Sequence, residues 1–177
     1  EDGTGRIWDG ATGKVLFVLG GHEADTMRVG MTPDGNYVLT EMPCRERIRL
    51  WSALTGALLY IVKDDTQCAY SWDFSSDSQR LAYGCHDKTI RIYETVTGKE
   101  VLVLKGHEDT VNSVRFSPDG KRLLSSSWDR TGRIWDASTG EVLHALPDFR
   151  AEWGIFSPSG ERLVTAGTDG RLRMWDP

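Results

Sequence analysis

Histidine and cysteine are the residue types of this chain that could form a structural zinc site. The sequence contains four histidines and three cysteines. A structural zinc site needs four ligands at short, regular spacings. Cys85 and His86 are adjacent, but no second His or Cys follows them at such a spacing, so this pair cannot complete a site alone. We therefore expect no metal ion and no cofactor.

Serine could act as a nucleophile, and runs such as 125–127 are rich in it. These serines lack the G-x-S-x-G setting that presents a reactive hydroxyl on a strained turn. They also lie in a stretch with strand-like alternation, which explains them structurally. No convergent set of carboxylates, histidines or metal ligands falls on one face, so we expect a protein that is not an enzyme.

Charge and composition limit the classes of partner and the compartment that we expect for this chain. With 21 basic and 26 acidic residues the formal net charge is −5, which opposes the counterion release that drives nucleic-acid binding. The apolar runs, such as residues 15–19, are far too short to span a membrane. Cys44, Cys68 and Cys85 form no even framework, which favours free thiols in a reducing compartment. We expect an intracellular, cytoplasmic protein that binds neither nucleic acid nor membranes.

A five-residue phrase with an aromatic residue in fourth place recurs through the chain. It occupies residues 5–9, 48–52, 90–94, 132–136 and 172–176. The intervals between the aromatic positions are 43, 42, 42 and 40 residues. A fixed period of about 40–45 residues is typical of a repeat architecture. In such an array most recurring residues serve the scaffold, and function lies where the repeats differ.

Each repeat reads as four short antiparallel strands joined by tight turns. In the clearest repeat, the predicted strands are 111–116, 121–127, 132–136 and 141–146. The first turn, Ser-Pro-Asp-Gly, combines a proline that presets φ with a glycine that supplies a positive φ. No segment has a convincing helical period, so the sequence predicts an all-β fold.

These phased Trp-Asp, Gly-His and Pro-Asp-Gly elements resemble the WD40 β-propeller family over essentially the whole chain. The resemblance implies a WD40-like β-propeller, or part of one, with four-stranded antiparallel blades. We expect blades at 22–63, 64–105 and 106–147, the outer strands of a partial blade at 1–21, and a partial blade lacking its outer strand at 148–177. This count leaves three alternatives: further blades in the same chain, pairing with another copy, or cover by a different protein.

The resemblance also implies a buried polar tetrad of His, Ser or Thr, Asp and Trp in each blade. One repeat has all four, namely His107, Ser125, Asp129 and Trp135. The other repeats keep parts of the set, with these residues at the corresponding positions: His22, Glu41, Arg45 and Trp51; Asp65, Tyr83, Asp87 and Tyr93; Pro147, Thr165, Asp169 and Trp175; and Asp2 and Trp8. We expect the departures at 41 and 45 to reduce rigidity around 22–62, unless a Glu41–Arg45 ion pair rebuilds the link.

Partners of this family often dock on the face that carries the residue before the tetrad Asp and the start of each first strand. In this chain the expected partner-binding residues are Trp128, Tyr70, His86, Arg150, Met27, Cys44, Thr168, Asn112 and Glu152. Aromatic residues, Met and Arg are enriched in interfaces. We expect the face to centre on Trp128 and Tyr70, because an aromatic residue in an exposed turn has little structural purpose.

The sequence thus predicts a non-catalytic protein–protein interaction scaffold formed by WD40 repeats. Two alternatives stay open. One is a regulatory or sensor module of a larger signalling protein, linked to an ATPase or kinase. The other is a propeller hydrolase, which the absence of a catalytic constellation disfavours.

Overall fold

The chain is built from β-strands joined by tight turns. A computed structural model describes residues 3–22, 28–42, 47–63, 71–146, 151–167 and 170–176. Within those ranges there are seventeen strands and no helix. Accordingly, the described part contains no helix long and apolar enough to cross a membrane.

The described strands form five sheets, and within each sheet the strands that are consecutive in sequence pair antiparallel. Two sheets belong to the first part of the chain: β1 (Gly5–Trp8) and β2 (Val15–Leu19), then β3 (Arg28–Met31), β4 (Tyr37–Met42), β5 (Arg47–Ser52) and β6 (Leu58–Lys63). The next two sheets have four strands each: β7 (Ser71–Phe74), β8 (Arg80–Gly84), β9 (Ile90–Glu94) and β10 (Glu100–Leu104), then β11 (Val111–Phe116), β12 (Arg122–Ser127), β13 (Gly132–Asp136) and β14 (Val142–Leu146). The last described sheet has β15 (Ala151–Phe156), β16 (Leu163–Gly167) and β17 (Leu172–Trp175).

The predicted all-β architecture of four-stranded antiparallel sheets is therefore confirmed. In the clearest repeat the observed strands differ from the predicted ones by a single residue at two starts, Arg122 and Val142. These differences lie next to turns, where strand ends depend on individual hydrogen bonds.

The Ser-Pro-Asp-Gly turn between β11 and β12 shows why these sequences form hairpins. Ser117 Oγ donates to Asp119 Oδ1 at 2.5 Å and accepts the backbone N–H of Arg122 at 2.9 Å. Gly120 adopts a φ of 68°, a left-handed conformation that costs glycine little. The side chains thus satisfy the polar groups of the turn before the second strand begins.

The strands form two compact units, Glu1–Gln67 with Val96–Gly98, and Cys68–Thr95 with Lys99–Pro177. In the first unit Leu19, Val38 and Trp51 pack together in a buried cluster. Alternating apolar residues on β2, β4 and β5 create this cluster, because successive side chains of a strand point to opposite faces.

The second unit has a larger core between consecutive sheets. Ile90, Ile92 and Leu104 of one sheet pack against Val114 and Trp135 of the next. A further cluster joins β12–β14 to β15–β16, where the rings and aliphatic side chains are likewise buried. This packing fixes neighbouring sheets of the unit side by side and so positions the turns at their ends.

Candidate functional site

A chain of hydrogen bonds connects the four tetrad residues of the third four-stranded sheet. His107 Nδ1 lies 2.8 Å from Asp129 Oδ2, and His107 Nε2 lies 2.7 Å from Ser125 Oγ. Trp135 Nε1 donates to the same Ser125 oxygen at 2.8 Å. With a proton on Nδ1 facing the carboxylate, the His107 ring accepts at Nε2 from the Ser125 hydroxyl. The structure thus brings together the four residues that the sequence grouped.

Hydrogen bonds within the fold stabilise the charged form of the Asp129 carboxylate. Burial acts to raise the pKa of its carboxyl, but hydrogen bonds from the Glu108 backbone N–H, from Thr131 and from His107 outweigh burial and lower this pKa to about 2. The Glu108 N–H lies 2.9 Å from Oδ2, and the Thr131 hydroxyl lies 2.7 Å from Oδ1. Both carboxylate oxygens are therefore occupied by donors of the fold itself.

The ring of His107 is held in its neutral form. Burial lowers the pKa of His107, and the positive charge of Arg133 lowers it further, although the Asp129 carboxylate opposes both. The His107 side chain has no exposed surface. A neutral, buried ring with both nitrogens bonded serves to fix the sheet geometry.

The first four-stranded sheet has a corresponding network, and it corrects the prediction for Glu41. The hydroxyl of Thr40 lies 2.9 Å from His22 Nε2 and accepts from Trp51 Nε1 at 2.9 Å. Thr40 pairs with Arg49 across the strands just as Ser125 pairs with Arg133. The assignment of Glu41 to this position was wrong by one residue.

That single-residue shift has a physical consequence, because consecutive strand residues face opposite sides of a sheet. Glu41 is buried on the other face, where its carboxylate lies 3.9 Å from the Arg28 guanidinium. The suggested partner Arg45 lies outside the described residues, so a Glu41–Arg45 ion pair stays a prediction. Because His22, Thr40 and Trp51 are linked, the reason to expect a loose region around 22–62 is weakened.

The repeats at 64–105 and 148–177 keep fewer of the hydrogen bonds that link a tetrad. Trp175 Nε1 donates to Thr165 Oγ1 at 3.1 Å. In the middle repeat Tyr83 and Tyr93 are buried in place of the hydroxyl residue and the tryptophan. Asp87 is held instead by Arg91, at 2.9 Å between Nη2 and Oδ2. Four further positions, Asp2, Asp65, Pro147 and Asp169, lie outside the described residues, and Trp8 is 56% exposed.

Among the predicted partner-binding residues, the structure places Trp128 beside His86. Their ring centroids are 6.5 Å apart with an interplanar angle of 79°, an edge-to-face contact. Trp128 follows β12 and His86 follows β8, so the pair bridges the ends of neighbouring sheets in one unit. Half of the Trp128 surface is exposed.

Backbone hydrogen bonds fix the turn that presents this indole. The Trp128 N–H donates to the Thr110 carbonyl at 3.0 Å, and the Asp129 N–H donates to Ser127 Oγ at 3.1 Å. Arg130 closes the turn with a φ of 66°, a left-handed conformation that is uncommon outside glycine. The exposed ring therefore stands on a turn that is tied to β11 and to the tetrad.

Asn112 has a role within this turn region. Its side-chain oxygen accepts the hydroxyl of Ser126 at 2.8 Å, across the first pair of strands. Glu152 lies within β15, and its side chain is not described. The remaining predicted partner-binding residues, which stay predictions, lie outside the described ranges: Tyr70, Arg150, Met27, Cys44 and Thr168.

A charged group that the sequence reading missed lies near His86. Arg91 binds Asp87 at 2.9 Å and Glu100 at 3.1 Å, both between guanidinium nitrogens and carboxylate oxygens. The signal was present in the sequence, because an arginine stands two residues before the aromatic residue of every repeat phrase. In the next repeat that arginine, Arg133, lies over the Trp135 ring at 5.8 Å.

The groups considered for metal chemistry are placed as follows. Cys85 is buried, and its sulfur lies 3.8 Å from the Tyr83 carbonyl oxygen. His144, on an outermost strand, is exposed. Across the portion of the chain that the structure describes, no three His, Cys, Asp or Glu side chains are grouped to hold a metal ion.

Comparison with known families agrees with the repeat geometry. The family model described as "WD domain, G-beta repeat" matches residues 56–94, 98–136 and 151–176. These three segments together cover more than half of the chain, and each ends at or just after the aromatic residue of the repeat phrase. The chain therefore belongs to the WD40 repeat family.

Proposed function

We propose that this chain is a non-catalytic protein–protein interaction scaffold whose partner binds at the turn surface formed by Trp128 and His86. WD40 repeat domains are commonly interaction scaffolds and are usually non-catalytic. The observation that carries the proposal is the half-exposed Trp128 ring in edge-to-face contact with His86.

Trp128 has the properties of an interface anchor. An indole offers a large apolar area and one N–H donor with few rotatable bonds, so little side-chain entropy is lost on binding. The hydrogen bond from the Trp128 backbone N–H to the Thr110 carbonyl holds the Trp128 turn in place before a partner binds. A preformed aromatic anchor is typical of the residues that contribute most to binding energy.

The tetrad supports the non-catalytic part of the proposal. His107 between Asp129 and Ser125 superficially resembles the residue types of a catalytic triad. Ser125 has no exposed surface, however, and its oxygen already accepts the Trp135 N–H. A substrate could not reach this hydroxyl without breaking the sheet, so the set supports the scaffold and not hydrolysis.

Photo-crosslinking in a cell extract tests the binding surface. A photoreactive residue replaces Lys88, which is exposed in the turn after His86, and in a matched chain it replaces Leu54, an exposed residue of the β5–β6 turn. We expect the chain labelled at 88 to crosslink a defined protein that the chain labelled at 54 does not. Equal crosslinking at both positions, or a defined protein at 54 alone, would contradict the proposal.

A further inference from the structure

The turn between β15 and β16 differs from the corresponding turns of the three four-stranded sheets. In each of those turns an aspartate carboxylate accepts two hydrogen bonds, one from a Ser or Thr hydroxyl two residues earlier and one from the backbone N–H two residues later. The hydroxyl bonds are 2.5–2.6 Å long and the N–H bonds are 3.0 Å long. In the β15–β16 turn a serine, Ser159, stands at this position. The three aspartates are Asp34, Asp77 and Asp119.

The β15–β16 turn keeps the donors of the other turns. The Gly160 N–H donates to the Ser157 carbonyl at 2.8 Å, the same length as the corresponding bond in the β11–β12 turn. Ser159 Oγ lies 3.2 Å from Ser157 Oγ and 3.4 Å from the Glu161 backbone nitrogen. Both distances are longer than those to the aspartates, because a neutral hydroxyl is a weaker acceptor than a carboxylate. The turn therefore presents two donors at a position where a neutral oxygen replaces an anion.

An arginine accompanies this position. Arg162 stands three residues after Ser159, and Arg80 and Arg122 stand at the same place in two of the other turns. In those two turns the serine hydroxyl and the backbone N–H lower the pKa of the aspartate most, and the charge of the arginine lowers it further. We therefore expect Arg162 to stabilise an anion at position 159 in the same way.

A second guanidinium reaches this turn from the neighbouring sheet. Arg122 Nη2 donates to the Gly160 carbonyl at 2.5 Å. The opposing charge is the exposed Glu161, whose carboxylate lies 3.3 Å from the Ser159 hydroxyl. An exposed like charge contributes little, because solvent screens it and its side chain can rotate away. The two cations and the two donors together favour an added anion at Ser159.

We propose that Ser159 is a phosphorylation site, and that its phosphate takes the role that the aspartate has in the other three turns. A protein kinase transfers the γ-phosphoryl group of ATP: the Ser159 Oγ–P bond forms, the bond between the γ-phosphorus and ADP breaks, and the hydroxyl proton is released. Ser159 is exposed, so the reacting oxygen is accessible. At pH 7 the phosphate carries a charge of about −1.5 to −2 and three acceptor oxygens.

The phosphate stabilises the β15–β16 hairpin, because its oxygens accept from the Ser157 hydroxyl and the Glu161 N–H as an anion. Ser138 shows that an exposed turn serine is not sufficient for this effect. Its hydroxyl donates to Asp136 at 2.5 Å, so a phosphate there would lose that bond and repel the carboxylate. Phosphorylation at these two serines is therefore expected to change stability in opposite directions.

Thermal unfolding of the full chain tests this expectation at pH 7.5, with phosphoserine introduced at position 159 during translation and, in a matched chain, at position 138. We expect phosphorylation at Ser159 to raise the Tm by about 2–4 °C, the shift that about one net hydrogen bond produces in a chain of this size. Phosphorylation at Ser138 should lower the Tm. An unchanged or lower Tm with phosphate at Ser159 would overturn the proposed role.

Three substitutions separate the charge from the phosphate itself. Ser159→Asp should raise the Tm, because it restores the carboxylate of the other turns, and Asp119→Ser should lower it. Arg162→Gln should reduce the gain in Tm that phosphate at Ser159 produces. A gain in Tm that is the same with and without Arg162 would overturn the assignment of this arginine to the phosphate.

Incubation of the full chain with a cell extract and ATP, followed by peptide mass spectrometry, tests whether a kinase modifies the site. We expect phosphate at Ser159 in a larger fraction of molecules than at Ser138, because longer hydrogen bonds hold Ser159 and its turn opens more readily. No phosphate at Ser159, or more at Ser138, would overturn the proposal. Trp128→Ala should change neither result, so this site and the Trp128 surface are tested independently.

Discussion

The rings of His107 and Trp135 lie 5.8 Å apart and both hydrogen bond to the hydroxyl of Ser125. Two strands, β11 and β12, separate the loop that carries His107 from the strand that carries the indole, yet one hydroxyl oxygen joins the two rings. Because the site is buried, each group that loses its partner there loses the full value of its hydrogen bond without replacement by water.

Ser125→Ala should therefore lower the free energy of unfolding by about 1–3 kcal/mol, since it leaves the Trp135 N–H and the His107 ring nitrogen unpaired. Urea denaturation of the full chain measures this change. The control is Ser138→Ala, an exposed turn serine that donates to Asp136 at 2.5 Å, for which we expect a smaller loss. Equal losses in the two variants would show that the shared hydroxyl contributes no more than a surface turn does.

The pKa of His107 predicts how stability depends on pH. Its folded pKa lies below the ordinary value of 6.5, so the unfolded chain binds more protons between these two values. The stability that the neutral ring contributes is present above about pH 6.5 and is lost as the pH falls towards the folded pKa. Asp129 adds its own loss at lower pH, from about 4 to about 2, because its carboxyl pKa is depressed.

Thermal unfolding at pH 7.5 and pH 5.5 checks this dependence, with both values chosen to bracket the ordinary pKa. We expect the Tm of the wild-type chain to fall on acidification and that of His107→Gln to fall less. The remaining fall in the variant is expected from His22, whose pKa is also lowered, first by burial and then by the charge of Arg49. A rise in the wild-type Tm on acidification would contradict the prediction that protonation of His107 destabilises the fold.

Much of the fold follows from local chemistry, and the exceptions have physical causes. The period of the aromatic residues, the strand alternation and the glycine turns predicted the sheets around 111–146 to within a residue. The assignment of Glu41 failed because a one-residue shift in register changes which face a side chain occupies, and only the pairing of Thr40 with Arg49 settles that register.

The candidate site was less accessible to sequence reasoning. Trp128 and His86 are 42 residues apart in the chain, and their ring contact depends on how neighbouring sheets pack.

Among the Thr-Gly turns, we expect the glycine to contribute most to stability where a neighbouring sheet packs against it. Gly13 and Gly56 have φ values of 67° and 70°, so alanine would be strained at both. A Cβ at Gly56 would lie 2.7 Å from the Phe17 ring, whereas nothing lies within 4 Å of one at Gly13.

Gly13→Ala should therefore cost about 1 kcal/mol of stability from backbone strain alone. Gly56→Ala should cost about 1–3 kcal/mol more, because the Phe17 ring must move. Chemical denaturation of both variants separates the two effects. Similar costs would indicate that Phe17 yields freely and that this turn does not anchor the neighbouring sheet.

Trp128 should contribute little to folding, in contrast to Trp135. Half of the Trp128 surface is exposed, whereas Trp135 is fully buried. We expect Trp128→Ala to lower the free energy of unfolding by less than about 1 kcal/mol, and Trp135→Ala by about 3–5 kcal/mol. Urea midpoints of the two variants measure the contrast. A large loss in Trp128→Ala would mean that the indole mainly supports the His86 turn.

The affinity of Trp128→Ala for the protein captured at the Lys88 position tests the proposed scaffold most directly. Calorimetric titration against wild type, with Leu54→Ala as the control for loss of an exposed apolar side chain, gives the ratio of dissociation constants. We expect Trp128→Ala to weaken binding by about 2 kcal/mol or more, about thirtyfold, with Leu54→Ala unchanged. A dissociation constant of Trp128→Ala equal to that of the wild type would contradict the assignment of this surface to partner binding.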